Sequence, residues 1–257
     1  MRTHHVEYVM GTVVLFDIRA DTAPPEAVAA ALEAACAVLH EVDGMFSTWK
    51  PDSELSQLRR GELRASEASP EVNEVIDRCV EALRLSGGWF DPWSLKGGFD
   101  PTGLVKGWAA DRALAELRVT GIDAAMINAG GDIATFGTPT AGHLWRIGVR
   151  DPLDANMLRV VAEVDGAIAT SGAYERGDHV RDPHTGDAAS ELTSATVTGP
   201  ELALADALTT GLFAAGARGL QYIDALDGYE AFIIDADGIG YATSGFPAVE
   251  SADTPDS

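Results

Sequence analysis

Strand-like and helix-like segments are interspersed along this chain of 257 residues, without the regular strand–helix–strand repetition of a doubly wound parallel sheet. The mostly apolar run 10–19 predicts a buried strand, and segments 25–44, 70–86 and 103–119 each predict a helix. The other predicted strands are 124–127, 145–149, 160–164, 167–169 and 231–242, and the other predicted helices are 201–215 and 217–226. We therefore predict an α+β fold of mixed or mostly antiparallel sheets with packed helices, with room for two lobes.

The length of the chain suits one large domain with a substantial core. We place this single domain at residues 1–248. The remaining segment, 249–257, is small, acidic and contains a proline, so we expect a disordered tail.

The charge balance limits the partners that the chain can bind. There are 40 acidic and 18 basic residues, and a nucleic acid or an anionic membrane requires clustered Lys and Arg. We therefore expect neither partner. A bound phosphate would need local help from a helix N-terminus, a nearby lysine or a divalent cation.

The two cysteines and the N-terminus indicate the cellular context. Cys36 and Cys79 each lie within an apolar helical pattern, which predicts buried free thiols and neither a disulfide nor a zinc site. The first ten residues show no apolar signal segment and no lipid-acceptor cysteine. No apolar run approaches the length of about 20 residues that spans a membrane. These features predict a cytoplasmic protein.

Segment 99–111 combines glycines with a lysine near a predicted helix start. Lys106 lies between Gly103 and Gly107, where free backbone N–H groups and the helix dipole favour an anion. The alternative is a solvated helix lysine, because the spacing matches neither a dinucleotide fingerprint nor a Walker loop. Downstream, segment 128–132 reads Asn-Ala-Gly-Gly-Asp and is equally consistent with a tight turn between two strands.

Asp206 and Thr210 lie four residues apart in a helical pattern, so a carboxylate and a hydroxyl project from one face. Two oxygen ligands on a rigid face suit a hard cation such as Mg²⁺, which completes its shell with water and substrate phosphate. The alternative is that Thr210 bonds back to a helix carbonyl while Asp206 pairs with a neighbouring donor.

Several aromatic and histidine side chains fall in polar loops. Trp49, Trp89 and Phe90 lie outside any periodic face, so either ring stacking on a ligand or packing under a loop would explain them. His179 and His184 flank an Asp-Pro pair, and their spacing does not indicate zinc.

Taken together, the ordered motifs resemble the family of ApbE-like FAD:protein FMN transferases across nearly the whole chain. No single motif is specific, but their shared order argues against chance. The segments that carry the resemblance are 10–12, 46–56, 88–91, 100–107, 128–132, 170–172, 179–186 and 205–210.

The resemblance implies an enzyme that moves FMN from FAD to a threonine hydroxyl of an acceptor flavoprotein and releases AMP. It assigns Asp206 and Lys106 to the catalytic centre. It implies a Mg²⁺ ion held by Asp206, Thr210 and the carbonyl of Gly103, with the carbonyl of Thr209 as a further ligand. The FAD-lining residues that it implies are Met10, Trp49, Trp89, Phe90, Asp91, Asp100, Lys106 and His179.

Two alternatives to this function remain at this stage. A Mg²⁺-dependent FAD pyrophosphatase would give free FMN and AMP with the same site, and a non-catalytic FAD carrier would give neither product. The chain also departs from the family pattern, because the stretch from Asp91 to Asp100 is short, Trp49 replaces a common Tyr, and Arg181 replaces an apolar residue. These departures predict a changed wall around the ligand.

Overall fold

The computed structural model describes residues 1–94, 97–154, 156–172 and 180–249. Its helices are α1 (Pro25–Phe46), α2 (Glu54–Arg60), α3 (Pro70–Leu85), α4 (Thr102–Glu116), α5 (Leu202–Ala215) and α6 (Leu220–Asp224), with 3₁₀ turns at Ala65–Glu67 and Gly216–Gly219. Its strands are β1 (Arg2–Val9), β2 (Thr12–Ala20), β3 (Ile122–Ala129), β4 (Asp132–Phe136), β5 (Trp145–Arg150), β6 (Leu158–Val164), β7 (Ala167–Gly172), β8 (Leu192–Gly199), β9 (Glu230–Asp235), β10 (Gly240–Ala242) and β11 (Ala248–Val249).

Eight of these strands form one antiparallel sheet in the order β1-β2-β3-β4-β7-β8-β9-β10. Strands from both ends of the chain therefore share the main sheet. The three remaining strands form a second antiparallel sheet in the order β11-β6-β5. The prediction of an α+β fold with mostly antiparallel sheets is confirmed.

The main sheet is covered on both faces. On one face, Val14, Phe16 and Ile127 belong to the large core that the helices complete. On the other face, Ile133 and Ile168 pack with Val149 and Ala162 of the small sheet. The site described below lies on the helical side, where α4 and α5 meet β4 and β7.

Helices α4 and α5 cross at very short range because a glycine lies at their contact. A Cβ built on Gly107 would lie 2.5 Å from the carbonyl oxygen of Leu202, so any larger residue would force the helices apart. The same contact gives α5 its N-terminal cap. Both carboxylate oxygens of Asp111 accept backbone N–H groups, those of Leu202 at 3.0 Å and Ala203 at 2.8 Å.

The other long helices begin at local signals. Ser53 caps α2 by accepting the N–H of Ser56, and Ser69 caps α3 by accepting the N–H of Val72. Helix α1 continues through Gly44, where we had expected it to end, because Phe46 is buried edge-on against Trp108. Among the described residues, no helix has the length and apolar character needed to cross a lipid bilayer.

Several other boundaries differ from the sequence predictions. The first predicted strand begins at Thr12, because Met10 and Gly11 form the turn between β1 and β2. The predicted helix 217–226 is a 3₁₀ turn followed by the short α6. Val249, which we had placed in the tail, belongs to β11 and pairs with Val161 of β6. Residues 250–257 lie outside the described residues.

Candidate functional site

A lysine lies between two buried carboxylates at the junction of α4, β4 and α5. The Nζ atom of Lys106 forms an ion pair with Asp132 and lies 3.5 Å from Oδ2 of Asp206. The side chains of Asp132 and Asp206 are only 4% and 8% exposed, whereas that of Lys106 is 23% exposed. Among the described residues, the ammonium of Lys106 thus lies beside two carboxylates that are shielded from water, and carboxylate oxygens are ligands that a divalent cation accepts.

Asp132 is fixed by the strand next to it. Its Oδ1 accepts the backbone N–H of Thr170 at 2.8 Å, and the hydroxyl of Thr170 lies 3.0 Å from that of Thr196. The motif at 128–132 is a tight turn, as one of our two interpretations expected, with Asn128 Oδ1 accepting the N–H of Gly131. The turn also delivers Asp132 to Lys106, a role that sequence reasoning missed.

The N-terminus of α4 lies directly against the C-terminal half of α5. A Cβ on Gly103 would lie 3.3 Å from Oγ1 of Thr210 and 3.2 Å from the ring of Phe90. Gly103 therefore lies beside Thr210, and Asp206 is one turn earlier on the same helix as Thr210; their assignment as metal ligands stays a prediction. Thr209 is fully buried and its hydroxyl donates to the carbonyl of Ala205 at 2.7 Å, which leaves its own carbonyl as the oxygen to consider as a ligand.

These oxygens fit a magnesium ion by their chemistry. The set contains the carboxylate of Asp206, the hydroxyl of Thr210 and the backbone carbonyl of Gly103, all hard donors of the kind that Mg²⁺ prefers. The absence of a Cβ at Gly103 keeps the space beside Thr210 open. The donor set therefore agrees with the ion that the resemblance implies.

A cleft of about 440 Å³ is lined by α2, the loop before it and Asp100. Trp49 stands at its edge with 93% of its surface exposed, and Asp100 lies in its wall. Arg59 of α2 contacts Asp100 at 3.4 Å and donates to the carbonyl of Gly97 at 3.1 Å. Sequence reasoning missed Arg59, although it follows the motif 46–56 by only three residues.

The loop after α3 carries an aromatic pair, of which Phe90 lies against the N-terminus of α4. Phe90 is buried against Gly103, whereas Trp89 is half-buried between the edge of His184 at 4.6 Å and the guanidinium of Arg218 at 4.6 Å. Arg218 and His184 are contacts that the sequence did not reveal, because both are distant along the chain.

The carboxylates of Asp91 and Asp100 each accept a backbone N–H group two residues further along the chain. Oδ1 of Asp91 accepts the N–H of Trp93 at 2.9 Å, and Oδ1 of Asp100 accepts the N–H of Thr102 at the start of α4. Both carboxylates thus hold backbone around the site. Their assignment as FAD-lining residues stays a prediction.

Met10 adopts a left-handed backbone with φ of 54°, which is costly for a side chain of this kind and is concentrated at functional positions. Its turn lies beside the turn that leads into Asp132, since a Cβ on Gly130 would lie 2.6 Å from the hydroxyl of Thr12. Met10 is therefore at the same end of the sheet as Asp132, the partner of Lys106. His179 falls outside the described residues.

The cluster combines an ammonium, two buried carboxylates and a helix N-terminus, groups whose chemistry suits a phosphorylated ligand and a divalent cation. This chain belongs to the ApbE family, because the family's sequence model matches residues 10–96 and 93–233. The family expected from the motifs is confirmed.

Curated relatives carry the name FAD:protein FMN transferase. A protein of Vibrio cholerae is 29% identical over 250 residues, which cover 73% of this chain and 74% of that protein. A protein of Rhodobacter capsulatus is 35% identical over 149 residues, but the match covers 54% of this chain and only 28% of that protein.

Solved structures support the fold. The flavin transferase ApbE from Vibrio cholerae superposes with a TM-score of 0.82 at 24% identity, over 97% of this chain and 99% of that one. The ApbE protein of Thermotoga maritima gives 0.77 at 22% identity, over 95% and 97% of the two chains. At these identities the likeness establishes the shared fold.

Proposed function

We propose that this chain is a Mg²⁺-dependent FAD:protein FMN transferase that acts on a threonine of an acceptor flavoprotein. Its family and the names of its relatives support flavin transfer. The observation that carries the proposal is the meeting of Lys106, Asp132 and Asp206 at a place where Thr210 faces Gly103. This arrangement combines charges for a pyrophosphate with oxygen ligands for a cation.

Asp206, Thr210 and the carbonyls of Gly103 and Thr209 would hold the ion. When bound, Mg²⁺ would neutralise charge on the pyrophosphate and make the phosphorus a better electrophile. Asp206 is rigidly placed because it lies within α5 and its side chain is almost fully buried. A ligand held in this way costs little reorganisation during the reaction.

Lys106 has a double role in this proposal. Without FAD its ammonium compensates Asp132 and Asp206, and its partly exposed side chain also allows it to contact a phosphate. Lys106 also lies near the N-terminal end of α4, where the helix dipole favours an anion. The negative charge of an acidic protein is thereby offset locally where the pyrophosphate must bind.

Met10, Trp49, Trp89, Phe90 and His179 would surround the rings of FAD. Trp49 suits this role because its ring is almost fully exposed, and a stacked ring would cover apolar surface that now faces water. Asp91 and Asp100 would hold the backbone at Trp93 and at the start of α4 through the bonds described above.

In the transfer, the hydroxyl oxygen of the acceptor threonine forms a bond to the phosphorus of the FMN half of FAD. The bond from that phosphorus to the bridging oxygen breaks, and AMP leaves with the bridging oxygen. The hydroxyl proton passes to solvent or to a base. FMN ends as a phosphoester on the threonine.

The test is to incubate the protein with FAD and Mg²⁺ and to follow AMP and protein-bound flavin by mass spectrometry. An acceptor domain with a flavinylation threonine is compared with the same domain carrying Val at that position. AMP together with FMN on the threonine supports the proposal. AMP with only free FMN would instead show a pyrophosphatase, and FAD binding without either product would show a carrier.

A further inference from the structure

Four metal-binding side chains meet on the helical face of β1, in a cluster separate from the proposed flavin site. His5 and Glu7 are two residues apart on β1, so they point to the same face of the strand. Cys36 and His40 are four residues apart on α1, so they lie on one face of that helix. The two pairs face each other across the contact between strand and helix.

Glu7 lies at the centre of this cluster. Its Oε2 is 3.0 Å from Nε2 of His5, and its Oε1 is 3.0 Å from Nε2 of His40. One ligand atom each from His5, Glu7 and Cys36 lie within 4.8 Å of one another. Three donor types therefore converge on one small volume from two different elements.

We propose that His5, Glu7, Cys36 and His40 bind one Zn²⁺ ion. Two imidazoles, a thiolate and a carboxylate make a tetrahedral ligand set that Zn²⁺ accepts. With bonds of about 2.0–2.3 Å to Zn²⁺, neighbouring ligand atoms stand roughly 3.5 Å apart. The ligand atoms of His5, Glu7 and Cys36 already lie within 4.8 Å of one another, and His40, which contacts Glu7 at 3.0 Å, must turn further toward the ion than these three.

Zinc takes the carboxylate and the thiolate in their ionised forms, so binding releases any proton that they carry. Hydrogen bonds from His5 and then His40 hold the pKa of Glu7 below its usual value, so that this ligand is already ionised. Burial, with the nearby charge of Glu7, raises the pKa of the Cys36 thiol to about 11. The S–Zn bond therefore forms as the S–H bond breaks, and the proton leaves to solvent.

The soft thiolate separates this site from the magnesium site. Mg²⁺ prefers oxygen ligands, whereas thiolate and imidazole select zinc and related transition metals. The site would also have a structural effect, because β1 is an edge strand that pairs only with β2 among the described strands. A bound ion would cross-link β1 to α1 and fix the strand that leads into Met10.

Cobalt titration of the whole protein tests the proposal, because Co²⁺ takes the place of Zn²⁺ and is coloured. We expect one Co²⁺ per chain with a thiolate-to-metal charge-transfer band and the intense visible bands of a tetrahedral ion, both abolished by added Zn²⁺. Cobalt bound at the magnesium site would give no thiolate band. Cobalt binding without that band, or no binding, would overturn the proposal.

The matched variants are His5→Ala and His4→Ala. His4 neighbours His5 but points to the opposite face of β1, where its nearest carboxylate is Asp17 at 3.8 Å. We expect His5→Ala to weaken cobalt binding at least about tenfold, since even outer-shell changes at metal sites cost that much. His4→Ala should leave the affinity unchanged. Equal losses in both variants would show general surface binding and would contradict the proposal.

The thermal stability of the protein with Zn²⁺ gives a second test that does not depend on the cobalt spectrum. Zn²⁺ should raise the Tm of the wild-type protein in a concentration-dependent way, because an ion that binds only the folded chain stabilises it. The exposed His40 allows a mild second variant, His40→Gln, which should retain the fold and lose most of this rise. A rise that persists unchanged in His40→Gln would contradict the assignment of that ligand.

Discussion

Asp206 is a buried aspartate and Asp111 a half-buried one, and both lie in the contact between α4 and α5, yet their surroundings differ in kind. Asp111 on α4 faces the free N–H groups of α5, and both of its oxygens accept them. Asp206 on α5 faces Lys106, with Thr210 one turn further along the helix. The first carboxylate completes the secondary structure, and the second contributes to a site that has room for a ligand.

Desolvation of a carboxylate is therefore not by itself a sign of function. Burial raises the pKa of Asp111 to about 6, although the N–H groups of Ala203 and Leu202 oppose the shift. A strongly shifted pKa would single out Asp111 as a functional candidate. Its partners are backbone groups deep in the α4–α5 contact, so we assign it a structural role.

The largest effect is expected from removing the ammonium of Lys106, which lies beside Asp206. Lys106→Met would leave Asp132 and Asp206 without their ammonium and would remove a phosphate contact. We expect FAD affinity in the presence of Mg²⁺ to fall about 10- to 100-fold, the range for losing a hydrogen bond to a charged group. Isothermal titration calorimetry measures it.

The control for this change is Arg112→Met, which removes a cation from the same helix. Arg112 is partly exposed and lies 3.9 Å from Glu74, on the side away from the cluster. Its loss should not alter FAD affinity. Equal weakening in both variants would mean that only the overall charge of α4 matters.

The close contact between α4 and α5 predicts that a larger residue at Gly107 lowers stability. Gly107→Ala would place a Cβ 2.5 Å from the carbonyl of Leu202 and push α4 away from α5. We expect the free energy of unfolding to fall by about 1–3 kcal/mol, as overpacked contacts do. Denaturant unfolding measures this change.

Gly44→Ala is a matched control, because Gly44 lies within helix α1 and nothing stands within 4 Å of its added Cβ. Alanine favours a helix over glycine by about 1 kcal/mol, so this variant should be as stable as the wild type or more stable. If both variants lost stability alike, close packing at Gly107 would not be the cause.

Asp111 predicts a specific dependence of stability on pH. Its pKa is about 6 in the folded chain, whereas the ordinary value of 3.8 applies to the unfolded chain. The folded chain therefore binds the proton more tightly. The stabilisation from this proton is complete below pH 3.8 and is lost as the pH rises through about 6. It amounts to about 2–3 kcal/mol at most, at 1.36 kcal/mol per unit of pKa.

Asp111→Asn cannot titrate and therefore isolates this contribution. The difference in unfolding free energy, wild type minus variant, should decrease between about pH 4 and pH 6 and then stay constant. Denaturant unfolding at a series of pH values measures the difference. A difference that rises with pH would mean that the backbone N–H groups lower the pKa of Asp111 below its ordinary value.

The smallest effect on the folded chain is expected at the mouth of the cleft. Trp49 is 93% exposed, so Trp49→Ala should change the unfolding free energy by less than about 0.5 kcal/mol. FAD affinity should still fall about tenfold, because a stacked ring is worth about 1–3 kcal/mol. Unchanged affinity would remove Trp49 from the proposed FAD site.

The sequence predicted the fold class and the local pairs of the site, because both depend on short-range patterns. Asp206 and Thr210 were found from helical spacing, and Gly103 and Lys106 from a glycine-rich helix start. The contact between Lys106 and Asp132 joins residues that no local pattern relates. It follows from the order of strands in the sheet, which the sequence did not reveal.

The missed strands have a physical explanation. Strand β8 carries Ser194, Thr196 and Thr198 at buried positions, so its apolar periodicity is weak. Strand β1 is an edge strand with polar residues on both faces. The meeting of its His5 and Glu7 with Cys36 could not be predicted without that strand, and for this reason the sequence indicated no zinc site.

The most direct test of the central claim compares Asp206→Asn with Asp111→Asn in two measurements, FAD turnover with Mg²⁺ and unfolding free energy. We predict that Asp206→Asn lowers AMP formation at least about 100-fold while the protein stays folded, because a charge-stabilising ligand is lost. Asp111→Asn should keep its turnover, and its effect on the free energy of unfolding should follow the pH dependence given above. Full turnover in folded Asp206→Asn, or its loss in folded Asp111→Asn, would contradict the division of roles between the two aspartates.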